Sequence, residues 1–145
     1  MYTETYVIEF LSSEWILNTL VSLFVILTLL FIGRILSYNQ RLNLAKAIAI
    51  LLIISTITEH YRNIINGYWN ISENLPLHLC GISNLIACFI LFVKKNKVLF
   101  EFLFYAGIIG GIQAFLTPQI NNFDSSFFEY FSYHFAHGGI IVLPI

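Results

Sequence analysis

The feature that most restricts this chain is its succession of long apolar runs, the first from about Trp15 to Leu36, with almost no charge inside them. About 20 such residues suffice to cross a bilayer. In lipid, only helices or a closed barrel satisfy the backbone polar groups. None of the runs alternates like a barrel strand, so each predicts a helix. The chain is 58% hydrophobic and only 10% charged, where a soluble domain carries about 25% charged residues. The expected fold is therefore all-α, a polytopic transmembrane helix bundle forming a single integral membrane domain over residues 1–145. Its five predicted spans lie at about 15–36, 44–60, 77–93, 98–116 and 127–145. A net charge of −1 leaves no basic footprint for nucleic acid. No soluble partner is evident, and membrane lipids are the expected partners.

Basic residues mark alternate connections. Arg34, Arg41 and Lys46 flank the first, and Lys94, Lys95 and Lys97 fill the third. The N-terminal stretch carries Glu4, Glu9 and Glu14 without Lys or Arg, the second connection sets Arg62 against Glu73, and the fourth has only Asp124. The positive-inside rule then places the N-terminus outside a cell membrane and the first and third connections in the cytoplasm. Trp15, Tyr68 and Trp69 fall at the outer interface, where amphipathic rings prefer to sit. The acidic N-terminus lacks the positive region of a cleaved signal. The apolar sequence stops at Ile145 with no basic flank, which predicts a chain truncated at this end.

The polar residues gather at one side of this arrangement. Glu59 and His60 end the second helix; His78, Cys80 and Asn84 open the third; Gln113 lies near the outer end of the fourth; Glu129, His134 and His137 sit in the outer half of the fifth. Only Glu101 lies at the opposite end. Ionisable groups within spans are functional candidates by default, and this grouping predicts an outward-opening cavity.

Cys80 follows Asn74, a plausible N-cap, and Pro76, suited to a first helical turn. A helix N-terminus lowers a thiol pKa while apolar burial raises it, and a free cysteine also serves simply as a small apolar side chain. Cys80 and Cys88 are separated by about 12 Å of helical rise, too far for a disulfide. His134 and His137 share a helical face with Tyr133 and Glu129 nearby; interhelical hydrogen bonding is their structural alternative. His78 and Cys80, two apart, point to opposite sides if both are helical, so a base from the fifth helix suits Cys80 better. Asn84, one turn on, is either an oxyanion donor or an interhelical hydrogen-bond partner. Gly107 and Gly111 form a GxxxG pair predicting a close helix crossing. Lys97–Glu101 and Glu59–Arg62 are expected to pair.

The run Leu75-Pro76-Leu77-His78-Leu79-Cys80, with a later His137-Gly138 in an apolar helix, resembles the transmembrane protein 164 family over most of the chain, from the second helix onward. The resemblance implies a multi-helix acyltransferase or hydrolase fold related to the androgen-induced lipid hydrolases, whose animal member acts as a cysteine-dependent acyltransferase on ether phospholipids. It assigns the nucleophile to Cys80 and the base to His137, with His134 a weaker match. His78, Asn84, His134 and Glu129 are expected to support the pair or line the substrate site.

The expected function is a cysteine-dependent acyltransferase or lipid hydrolase acting on acyl lipids at the outer leaflet, with no cofactor. Two alternatives use the same residues. One is a metal-dependent hydrolase with His78, Cys80, His134 and His137 as ligands. The other is a proton-coupled transporter or sensor.

Overall fold

Three serines fix where three of the helices begin. The Ser12 hydroxyl accepts from the Trp15 N–H (3.1 Å) and opens α1, Ser13–Ile35. Before α2, Tyr38–Ile65, the Ser37 N–H donates to the Gln40 side chain at 3.0 Å. Ser126 accepts from the Glu129 N–H (3.3 Å) and opens α7, Phe127–Val142. Each side chain satisfies or reciprocates an amide that the first turn leaves without a partner. The computed structural model describes residues 4–94 and 96–145, without the side chains of Glu4, Ser72, Glu73 and Asn122. Lys95 and the side chains of Glu4 and Glu73, counted in the charge pattern, thus lie outside the described residues.

Between α2 and α7 the helices are shorter. α3 (Ile71–Asn74) is one turn, and α4 (Leu79–Phe89) runs on as a 3-10 turn to Phe92. α5 (Lys97–Phe102), a π-helical turn (Leu103–Gly107) and α6 (Ile108–Leu116) join end to end as one helix of 20 residues.

Among the described residues, three helices are long and apolar enough to cross a membrane: α1, α2 and the continuous Lys97–Leu116. They match the first, second and fourth expected spans, with α2 running beyond both ends of 44–60. The other two fall short. The stretch from Leu79 to Phe92 rises only about 21 Å and the 16-residue α7 about 24 Å, against a hydrocarbon core of about 30 Å.

The all-α expectation also missed a small ribbon. β1 (Glu4–Val7) pairs antiparallel with β2 (Gln119–Phe123), with Tyr6 opposite Ile120, Val7 opposite Gln119 and an irregularity between Glu4 and Tyr6. Ile8 and Ile120 are buried, and the Ile8 N–H donates to the Pro118 carbonyl (3.1 Å). The Tyr6 ring stacks on Phe123, and its hydroxyl donates to Glu14 at 2.7 Å, anchoring the ribbon to the head of α1.

α7 is the central element, packed by α1, α2, α4 and α6. Its closest neighbour is α6. A methyl group on Gly107 would sit 2.9 Å from the Ile140 carbonyl oxygen, and one on Gly111 would sit 2.9 Å from that of His137. The two backbones meet directly, as the GxxxG pair predicted. On another face, Gly139 of α7 receives the buried Leu52 of α2. The core closes with Ala49, Ala87, Cys88, Leu103 and Ile140. α1 buries no residue at all. Many of its apolar side chains, Phe24 and Phe31 among them, are exposed, the arrangement of a helix facing lipid on one side.

Substituting Gly111 by Ala should therefore force α6 from α7 and cost about 2 kcal/mol by overpacking. Gly33→Ala, where a methyl group meets nothing within 4 Å, should be neutral or slightly stabilising. Thermal unfolding in detergent compares the two; equal midpoints would contradict the crossing.

Candidate functional site

The start of α4 is built by a break in the chain. The residue before a proline is disfavoured in the helical region, and Leu75–Leu77 stay non-helical, with the Leu77 N–H reaching back to the Leu75 carbonyl (2.7 Å). The expected N-cap, Asn74, instead closes α3 by accepting from the Asn70 N–H at 2.8 Å. The residue that caps α4 by position is His78, in extended conformation, with no side-chain bond to the helix. Cys80 is thus the second helical residue. The His78 side chain leaves the amides of this first turn uncapped, and they point out of the helix end.

This corrects the reading of His78. The expectation that it faces away from Cys80 assumed both were helical. Extended backbone at His78 removes that constraint, and His78 and Cys80 line the same cavity. Gly81 makes the fold-over possible: a methyl group there would lie 2.8 Å from Pro76 Cα and 3.0 Å from the His78 ring.

Two adjacent glycines of α6 then set the level of the site. A methyl group on Gly110 would meet Cys80 Sγ at 3.2 Å, and one on Gly111 would meet the His137 backbone. One dipeptide of α6 thus touches both Cys80 of α4 and the backbone of His137 of α7. Both line a cavity of about 530 Å³.

His137 Nδ1 lies 2.7 Å from the Tyr133 carbonyl oxygen. A carbonyl only accepts, so Nδ1 carries the proton and Nε2 keeps a free lone pair. Tyr133 is itself fixed: its hydroxyl donates to the Ala114 carbonyl (2.9 Å) and accepts from the Gln119 N–H (3.2 Å), and its ring centroid lies 4.3 Å from that of His137. His134 makes the same bond to the Tyr130 carbonyl (2.8 Å), but its ring packs among Phe115, Tyr130 and Tyr133 and is not part of the cavity wall. The structure thus brings Cys80, His78, His137, Asn84 and Glu129 together and leaves His134 behind them.

The opposite wall is a polar stripe on α2: Thr56, Glu59, His60 and Asn63. Asn84 donates from Nδ2 to Thr56 Oγ1 (3.0 Å), the interhelical bond weighed for it, while its Oδ1 is buried without a protein partner. Glu59 accepts from Ser132 at 3.4 Å, and Ser132 also bonds Ser55. The expected Glu59–Arg62 pair is not what forms. Arg62 ion-pairs with Asp124, approaches Glu129 Oε1 to 3.5 Å, bonds Ser126 and lies over the Phe128 ring. Two carboxylates brought by the tertiary fold displace the local partner. The Lys97–Glu101 pair does form, at 3.6 Å on the exposed surface.

Thr56 and Ser132 were not singled out beforehand. Thr56 had a signal, since positions 56, 59, 60 and 63 follow helical spacing on one face. The β2 residues Gln119 and Asn121, which also line the cavity, had none. Both cysteines are free, and Cys88 is buried in the core. Among the described residues, no three His, Cys, Asp or Glu side chains are grouped to hold a metal ion. The four zinc ligands weighed above do not converge.

The model of the TMEM164 family matches residues 10–145. No curated protein and no solved structure matches at a significant level.

The Arg62 cluster has a pH signature. Burial works against the Asp124 carboxylate, but hydrogen bonds from Ser126 and the charge of Arg62 outweigh it, holding the carboxyl below its ordinary range. A lowered folded pKa means stability that is complete above the unfolded value of about 4 and is lost as pH falls through the folded one. Melting curves taken at successively lower pH should show this acid limb, shallower in Asp124→Asn. Identical limbs would remove Asp124 from the account.

Proposed function

The chain belongs to the TMEM164 family, and from that premise we propose that it is an intramembrane cysteine-dependent acyltransferase or lipid hydrolase acting on acyl lipids. The observation that carries the proposal is one cavity shared by the Cys80 thiol and by His137, whose Nδ1–H is tied to the Tyr133 carbonyl. That bond leaves Nε2 to act as the base and fixes the tautomer that it needs.

In this reading Nε2 of His137 takes the Sγ proton, and the thiolate adds to the ester carbonyl carbon of a lipid. The carbonyl π electrons move to oxygen, where the uncapped amides at the head of α4 meet the developing charge. Collapse breaks the C–O bond. The leaving alkoxide takes the proton back from His137, and a thioester remains on Cys80. Water or a lysolipid hydroxyl then gives its proton to Nε2 and attacks the thioester, restoring the thiol. The free Oδ1 of Asn84 is suited to accept from an incoming hydroxyl. His78 sits at the helix lip as a second imidazole in the cavity, and Glu129, fixed by Arg62, is a polar part of the wall.

The reading extends to topology. Five membrane-embedded helices, with the N-terminus outside a cell membrane, put the cavity in the outer leaflet. Because α4 and α7 are shorter than the hydrocarbon core, the cavity is recessed toward the depth of the ester groups. The charge pattern supports this orientation, since Arg34 at the end of α1 and Arg41 at the start of α2 lie far from Glu59 near the other end of α2.

A thiol-reactive probe carrying an acyl chain tests the chemistry. It should modify Cys80 and not Cys88. His137→Gln should slow labelling by about 100-fold, the low end of general-base contributions, while His134→Gln stays near the native rate. Labelling of Cys80 that is indifferent to His137 would sink the proposal.

A further inference from the structure

The arginines at the other end of α2 do more than mark an orientation. The last turn of α1 carries Arg34, and the first turn of α2 carries Tyr38 and Arg41. All three line a second cavity of about 620 Å³. Its walls are otherwise apolar, with Leu29, Ile48, Leu91 and Phe100 among them. It is separate from the Cys80 cavity. Arg41 and Glu59 stand on the same helix about 27 Å apart by helical rise, close to the thickness of the hydrocarbon core.

Among the described residues, neither arginine forms an ion pair with an acidic side chain. The ion pairs among the described residues belong to Arg62 and Lys97. Two guanidiniums beside an apolar well present a defined chemistry: planar donors for a phosphate oxygen at the mouth and a hydrocarbon-compatible space beneath. Inorganic phosphate has no use for the apolar wall, and a zwitterionic lipid brings its own headgroup cation against the two guanidiniums, which a phosphodiester without that cation does not. There is also unfilled room, since Gly33 lines the cavity and a methyl group on it meets nothing within 4 Å.

We propose that this second cavity binds an anionic phospholipid, with its phosphate between Arg34 and Arg41 and one acyl chain along the apolar wall. The site stands independently of the chemistry assigned to Cys80. Basic pockets between helices on the cytoplasmic side of a membrane are suited to such headgroups, each Lys or Arg contributing about 1 kcal/mol of attraction.

The full chain, reconstituted in nanodiscs of phosphatidylcholine with a minority of phosphatidylglycerol, tests this by native mass spectrometry. Phosphatidylglycerol is expected to be retained preferentially. The double variant Arg34→Ala/Arg41→Ala should lose that preference by about 25-fold, about fivefold per guanidinium. Gly33→Phe, which plugs the cavity without touching a charge, should lose it as well and decides the matter if the arginine variant does not fold. Retention that survives a wash in inorganic phosphate supports a lipid; displacement by phosphate overturns it in favour of a bare anion site. Equal retention of the two lipids, or a preference unaltered in Gly33→Phe, overturns the proposal.

Discussion

The backbone contact between α6 and α7 is the constraint on which the rest of this structure hangs. Inside a bilayer, helices gain nothing from leaving water, so association depends on how closely their surfaces approach. Gly107 and Gly111 remove every side-chain atom between α6 and the carbonyls of Ile140 and His137. α7 is thereby pinned on one side. Gly139 lets Leu52 of α2 seat on another face, and α1 leans on what remains. A helix of 16 residues with two histidines and a glutamate is a weak candidate to hold a bundle together. It does so because its neighbours come to it by way of glycine.

The same contact makes the site possible. Gly110 and Gly111 are consecutive and so face different neighbours, one toward the Cys80 thiol and the other toward the backbone of His137. Thiol and imidazole arrive from segments more than 50 residues apart, yet their levels are tied to one dipeptide of a third helix. Tyr133 adds a second tie. It links α7 to the Ala114 carbonyl at the end of α6 and to the first amide of β2. The ribbon is thus part of what holds Tyr133, and through it His137, in place.

Much of this was legible in the residues, and the failures share a cause. The polar stripe of Glu129, Tyr133 and His137 could be read because four-residue spacing survives in any helix. The glycine crossing could be read because small residues four apart have few other uses in an apolar span. His78 was misjudged because a rule for helices was applied to a residue that Pro76 keeps out of one. The partner of Arg62 was misjudged because sequence favours the nearest carboxylate, whereas the fold delivers Asp124 and Glu129 from 60 or more residues away. The ribbon of β1 and β2 was missed because each strand is too short to show a period, and each makes sense only against the other. Local periodicity was readable; what non-local contacts decide was not.

The π-helical turn at Leu103–Gly107 has a consequence for how this chain tolerates change. A π turn holds one residue more than an α turn. Everything after it is rotated by about 100° relative to an uninterrupted helix. Gly107, Gly110 and Gly111 face α7 and α4 only with that rotation in place. Regular α winding of the same residues would swing Gly110 and Gly111 off their partners, whereas loss of one residue from the turn removes the extra residue and the rotation together and leaves the later residues facing as they do. A substitution that straightens the turn would thus reach the site one turn beyond it, while a one-residue deletion would leave that site in phase. Phase, rather than length, is the quantity this segment sets.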